Sequence, residues 1–121
     1  MDDEELKNRT RKFATAIFKL IDKLPNTKSA HIIANQVGRC GSAVAANYRS
    51  SCRSRSHAEF IARIGVVEEE SDESKFWLEM LRDTNKSHAI EIDSLIKEAD
   101  ELTAIFTASG KTAKRNRDNK K

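Results

Sequence analysis

Apolar residues recur along this chain at helical rather than alternating spacing, in four separate stretches. The longest runs from Ser56 to Asp83. It opens on Ser56 and Glu59, an S-x-x-E capping box, and continues with Phe60, Ile64, Val67, Ser71, Ser74, Leu78 and Leu81. Steps alternating between four and three residues describe the seam of a helix packed in a bundle. The seam narrows to Ser71 and Ser74 amid the acidic run Glu68, Glu69, Glu70, Asp72 and Glu73.

The other stretches are built alike. Acidic Asp2 to Glu5 suit a helix N-terminus, and the stripe Leu6, Phe13, Ile17, Leu20, Leu24, widened by Ala14 and Ile21, predicts a first helix ending before Pro25. Asn26 or Thr27 can cap a second helix over Lys28 to Ser50, with Ile33, Val37, Cys40 and Val44 on its stripe. Gly38 and Gly41 lie inside it and predict close approach of a neighbouring helix, since each costs about 1 kcal/mol relative to Ala. A link RSSCRSR spans Arg49 to Arg55. The fourth helix begins between His88 and Asp93, carries Ile92, Leu95, Ile96, Ala99, Leu102, Ile105 and Phe106, and is expected to stop at Gly110. Three short connections predict an all-α, antiparallel up-down-up-down four-helix bundle over residues 1–110. Phe13, Ile17, Leu20, Val37, Val44, Phe60, Ile64, Leu78, Leu95 and Leu102 are its expected core. Residues 111–121, KTAKRNRDNKK, have no large apolar side chain and are expected to form a disordered basic tail.

Charge changes the picture. The net +3 of the 121 residues hides segregation: residues 7–63 carry twelve Lys/Arg against Asp22 and Glu59, and residues 64–110 carry twelve acids against four bases. Such blocks can cancel within one bundle, cancel between subunits, or leave a basic face for an anionic partner. Arg39 and Asn47 sit among small residues of the second helix. They are either partly exposed with local bonds, or they join Glu69, Asp72 and Glu73 in a buried or half-buried polar network.

Recognisable catalytic chemistry is absent from the pattern. No Glu has a His three residues later, as a di-iron bundle requires, and His31, His57 and His88 fall singly on three segments. Cys40 and Cys52 match no zinc spacing and read as free thiols. There is no phosphate-binding loop. The expectation is a non-enzyme with no metal and no cofactor. With no apolar run of membrane-spanning length and no basic-then-apolar start, a cytoplasmic protein is expected.

Several pieces together resemble a known family. Gln36-Val37-Gly38-Arg39, Ala43-Val44-Ala45-Ala46-Asn47, Ser56-His57-Ala58-Glu59-Phe60, the stretch Glu68 to Leu81 and the Leu24-Pro25 turn follow the order and spacing of the 23S ribosomal RNA intervening-sequence proteins. Relatives of that family include the accessory variability determinant of diversity-generating retroelements. The chain departs from the family pattern at Tyr48-Arg49-Ser50-Ser51, where an apolar-Ala-Glu-Gly turn is usual, and so gains an arginine there. The resemblance implies an antiparallel bundle, often a ring-shaped homopentamer, without known catalysis. For the retroelement relatives it implies a basic surface that binds a reverse transcriptase and its RNA.

Two functions follow as expectations, beside a plainer reading in which the charges are solvated, the first two helices neutralise the last two, and the tail only keeps the protein soluble. In the first, an oligomeric accessory protein binds RNA or DNA backbone, structured RNA above all, through a basic rim. The rim comprises Arg9, Arg11, Lys12, Arg49, Arg53, Arg55, Lys111, Lys114, Arg115 and Arg117, which an antiparallel bundle gathers at one end, with a reverse transcriptase as possible companion. Aromatic residues for base stacking are nearly absent from the basic part. In the alternative, the same oligomer is a protein-binding scaffold without nucleic-acid contact.

Overall fold

The computed structural model describes residues 1–119, and these form four helices: α1 (Asp3–Ile21), α2 (Lys28–Ser51), α3 (His57–Thr84) and α4 (Ala89–Asn119). No strand occurs among the described residues. α2 and α4 each pack against both α1 and α3, whereas α1 and α3 lie diagonally across the shared core. Neighbours are antiparallel: Cys40 meets Ser74 and Ser50 meets Arg63 between α2 and α3, while Lys75 meets Asp100 and Glu68 meets Thr107 between α3 and α4.

Local chemistry sets the helix starts. Asp2 accepts from the Glu5 N–H at 2.8 Å, Thr27 from Ala30 at 3.2 Å and Ser56 from Glu59 at 3.1 Å. Only half of the expected capping box forms, because the Glu59 carboxylate accepts from the Arg55 N–H rather than that of Ser56. Pro25 falls in the turn after α1. His88 turns the chain into α4 at φ 61°, in the left-handed region.

The seams meet in one core. Ile17, Leu20, Val37, Val44, Ile64, Leu78 and Leu102 are wholly or almost wholly buried, as are Phe13 and Leu95. Phe60 differs from expectation and is only partly buried. Its place on the stripe is right, but the antiparallel register fixed by Cys40 against Ser74 puts the end of α2, at Ser51, opposite Arg63 and short of Phe60. The polar centre of α3 is buried and satisfied. Ser71 donates to the Val67 carbonyl, and Ser74 bonds the Glu70 carbonyl and the Cys40 sulfur. Gly41 is required by packing, since a Cβ there would lie 2.5 Å from the Cδ1 of Ile17.

The expected disordered tail is corrected by the structure. α4 runs through Gly110 as far as Asn119, so residues 111–119 are helical, with Ala113 buried; Lys120 and Lys121 lie outside the described residues. Gly110 faces Ile64, 3.8 Å from where its Cβ would stand, so it sits beside α3 instead of ending the helix. Lys, Ala and Arg beyond it favour helix, and the basic side chains suit the negative end of the helix dipole.

Candidate nucleic-acid interface

α1 and α2 approach closely because Ala14, Ser42, Ala45 and Ala46 line their outer seam. The resulting groove is flanked by Arg11, Arg49 and Arg53, together with Lys7, Asn8 and Glu4. Arg11, Arg49 and Arg53 are exposed and make no ion pair among the described residues, while Lys7 pairs with Glu4 at 3.3 Å. Arg11 comes from α1, Arg49 from the last turn of α2 and Arg53 from the turn beyond it. Small side chains on the floor leave the three guanidiniums unobstructed, and guanidinium forks of this kind are chemically suited to carboxylate or phosphate groups.

The other expected basic residues divide. Arg9 is withdrawn from the rim: its Nε and Nη2 donate to the two carboxylate oxygens of Glu98 at 2.7 and 2.6 Å, and Nη2 also reaches Glu101 at 3.3 Å. The Glu98 bond, followed by the charges of Glu98 and Glu101, raises the Arg9 pKa against an opposing effect of burial. Lys12 lies on the outer side of α1 beside Thr15 and Lys19, and also borders the α1–α4 groove near Lys97. Arg55 is exposed in the α2–α3 turn. Lys111, Lys114 and Arg115 are exposed on the final turns of α4, and Arg117 pairs with Asp118 at 3.1 Å. The structure thus joins Arg11, Arg49 and Arg53 in one groove and carries the α4 residues on a separate helix at the same end.

The two readings of these polar residues divide between them: Arg39 joins Glu73 at the half-exposed α2–α3 surface, whereas Asn47 bonds locally and Glu69 and Asp72 take no part. Arg39 is half exposed and binds Glu73 at 2.7 Å and Glu70 at 3.3 Å across the α2–α3 surface. Its pKa is raised by the Glu73 bond first. Glu69 and Asp72 point to solvent, and Asn47 donates back to the Ala43 carbonyl of its own helix. One helical position decides this: Glu70 and Glu73 face α2, whereas their neighbours turn away by about 100°.

No group of three or more His, Cys, Asp or Glu among the described residues is arranged to hold a metal ion. Cys40 is buried and its thiol pKa raised, by burial above all; Cys52 is half-buried, and both are free. None of the described helices is long and apolar enough to cross a membrane.

An all-α four-helix bundle with one basic end is the class these features define. The chain belongs to the 23S rRNA-intervening sequence protein family, whose model matches residues 2–108. A crystal structure of a protein of unknown function from the S23 ribosomal protein family of Bacteroides thetaiotaomicron is similar to it. The two chains are 26% identical with a TM-score of 0.82, over 92% of this chain and 99% of the other. No curated protein matches the chain.

Proposed function

We propose that this protein is a non-catalytic, oligomeric accessory protein that binds the backbone of RNA, structured RNA above all, and that it works in the cytoplasm. The observation that carries the reading is the groove between α1 and α2, where Arg11, Arg49 and Arg53 converge without ion-pair partners among the described residues over a floor of Ala and Ser. Free guanidiniums beside phosphates release counterions, which gives affinity that falls steeply with salt and has little sequence preference. The family's description mentions 23S rRNA, which makes RNA the polymer to test first.

Assembly is supported by two outer faces. α3 exposes Val66, Glu69, Asp72, Phe76 and Met80, and diagonally opposite α1 exposes Lys12, Phe18 and Lys19. An acidic, partly apolar face and a basic one suit a head-to-tail contact between subunits, and the family resemblance makes a closed pentameric ring the expected assembly. The ring repeats the arginine groove once per subunit, so weak contacts add. A reverse transcriptase is a fitting companion for such a rim. The alternative is a scaffold that docks an enzyme without touching nucleic acid, and the same exposed Phe18 and Phe76 support it.

Filter binding of a structured RNA at low and high salt tests the proposal. Retention at low salt that collapses at high salt is expected; no retention at low salt leaves the scaffold. Light scattering reads the assembly, and a monomer at tens of micromolar protein, roughly where modest interfaces associate, contradicts the ring.

A further inference from the structure

At the basic end, α3 and α4 continue beyond the end of α2 by roughly 9 Å, the rise of the residues between His57 and Arg63, which the Cys40–Ser74 register sets opposite Ser51. Between them opens a groove of about 450 Å³, lined by His57 and Phe60 of α3 and Ser109, Thr112, Ala113 and Asn116 of α4, with no contribution from α1 or α2. This size falls in the range of sites for small ligands. Phe60, partly buried against the core, therefore borders this groove with its ring.

The polar lining differs from that elsewhere on α4. The hydroxyls of Thr103 and Thr107 donate to the carbonyls four residues earlier, whereas Ser109, Thr112 and Asn116 make no side-chain hydrogen bond among the described residues. An amide and two hydroxyls are thus left free beside an aromatic ring. Cations lie nearby, although none lines the groove. Arg115 shares a helix face with Thr112, Lys111 precedes it by one turn, and Arg55 lies in the turn leading to His57; none of the three makes an ion pair among the described residues.

We propose that this groove receives one unpaired nucleobase of a bound RNA strand, stacked on Phe60 and hydrogen-bonded along its edge by Asn116, with Lys111, Arg115 and Arg55 on the flanking phosphates. An aromatic ring is a platform for any base, and a carboxamide both donates and accepts at a base edge. An acidic peptide would also meet the cations, but its side chains bring no flat ring to stack on Phe60. The inference rests on the RNA reading and adds to it a preference for looped or single-stranded segments. The arginine groove supplies backbone affinity on any RNA; the Phe60 groove rewards only an unstacked base.

Fluorescence anisotropy with two labelled RNAs of one sequence, a hairpin with an unpaired purine loop and a blunt duplex, tests this at a single low salt concentration. The parent should bind the looped RNA more tightly than the duplex. Phe60→Leu should lower affinity for the looped RNA about tenfold, as expected without one base–aromatic stack, and leave duplex binding unchanged. Phe60→Tyr should retain the preference. Asn116→Ala, on an exposed residue that the fold does not need, should reduce it. If Phe60→Leu is unfolded, Phe60→Tyr and Asn116→Ala decide. Equal binding of both RNAs by the parent, or an Asn116→Ala variant with the parent's full preference, overturns the base pocket while the arginine groove stands. Absence of binding to either RNA overturns the RNA reading itself.

Discussion

Arg9 grips Glu98 through two parallel hydrogen bonds of 2.7 and 2.6 Å, and the pair joins α1 to α4. This is the bidentate fork that makes arginine–carboxylate pairs the strong ones, and both side chains are about three-quarters shielded from solvent. α1 and α4 share the least contact of any neighbouring helices in the bundle. Arg9–Glu98 and Lys23–Glu91, at 2.8 Å, therefore fasten a seam that packing alone holds loosely. Arg9→Ala should cost on the order of 1 kcal/mol, at the upper end of partly exposed pairs, and leave RNA affinity unchanged. Urea denaturation checks the first part and an RNA titration the second; weaker RNA binding in a folded Arg9→Ala variant returns Arg9 to the rim.

Three glycines give three different outcomes on substitution by alanine. At Gly41 the new Cβ meets Ile17 Cδ1 at 2.5 Å, inside a packed seam. Overpacking there should cost about 1–3 kcal/mol, more than the favourable change in helix propensity of about 1 kcal/mol. At Gly38 the neighbour is Ile21 Cδ1 at 3.2 Å, a terminal methyl on a partly exposed side chain, so the two effects should nearly cancel. At Gly65 nothing lies within 4 Å, and alanine should stabilise by about 0.5–1 kcal/mol. Thermal melts of the three variants check the order Gly65→Ala above Gly38→Ala above Gly41→Ala.

Stability should fall at alkaline pH. Burial raises the Cys40 thiol above its ordinary 9.0, its bond with Ser74 opposing, with Glu73, Arg39 and Glu70 nearby. Burial likewise raises the Tyr48 phenol above 10.0, reinforced by Cys52 and Asp3. In both cases the folded state holds a proton that the unfolded chain releases at its ordinary pKa. Stability is therefore intact below about pH 9 and declines above it, first from Cys40 and then, beyond about pH 10, from Tyr48. Tyr48→Phe preserves the ring packing against Phe106, 5.4 Å between centroids, and should flatten the decline above about pH 10. Urea titrations from pH 8 to about 11 check this; identical slopes for parent and variant contradict it.

The architecture was legible because burial in a bundle imposes a period that the sequence must carry. Even Ser71 and Ser74 kept their places on the stripe of α3, since a serine can bond its own helix and remain buried. Features that depend on where a neighbouring helix ends carry no such period. Phe60 lies on the core stripe and yet opens to a groove because α2 stops short. Gly110 reads as a helix stop until Ile64 is seen beside it. The cations were legible as a class but not one by one. Nothing in the spacing of Arg9 reveals Glu98, eighty-nine residues away, and the choice of Glu70 over Glu69 as a partner of Arg39 turns on a single residue step.

The most direct measurement of the central claim is the salt dependence of RNA binding by the parent and by a variant with Arg11, Arg49 and Arg53 all replaced by Ala. All three side chains are exposed and make no ion pair among the described residues, so thermal stability should change little. The parent should bind structured RNA at low salt, with log affinity falling linearly against log salt. The variant should bind more weakly, with a slope shallower by about 2 on a single-stranded segment, at roughly 0.7 for each phosphate that the protein no longer neutralises. Unchanged affinity and slope in the folded variant would contradict the account.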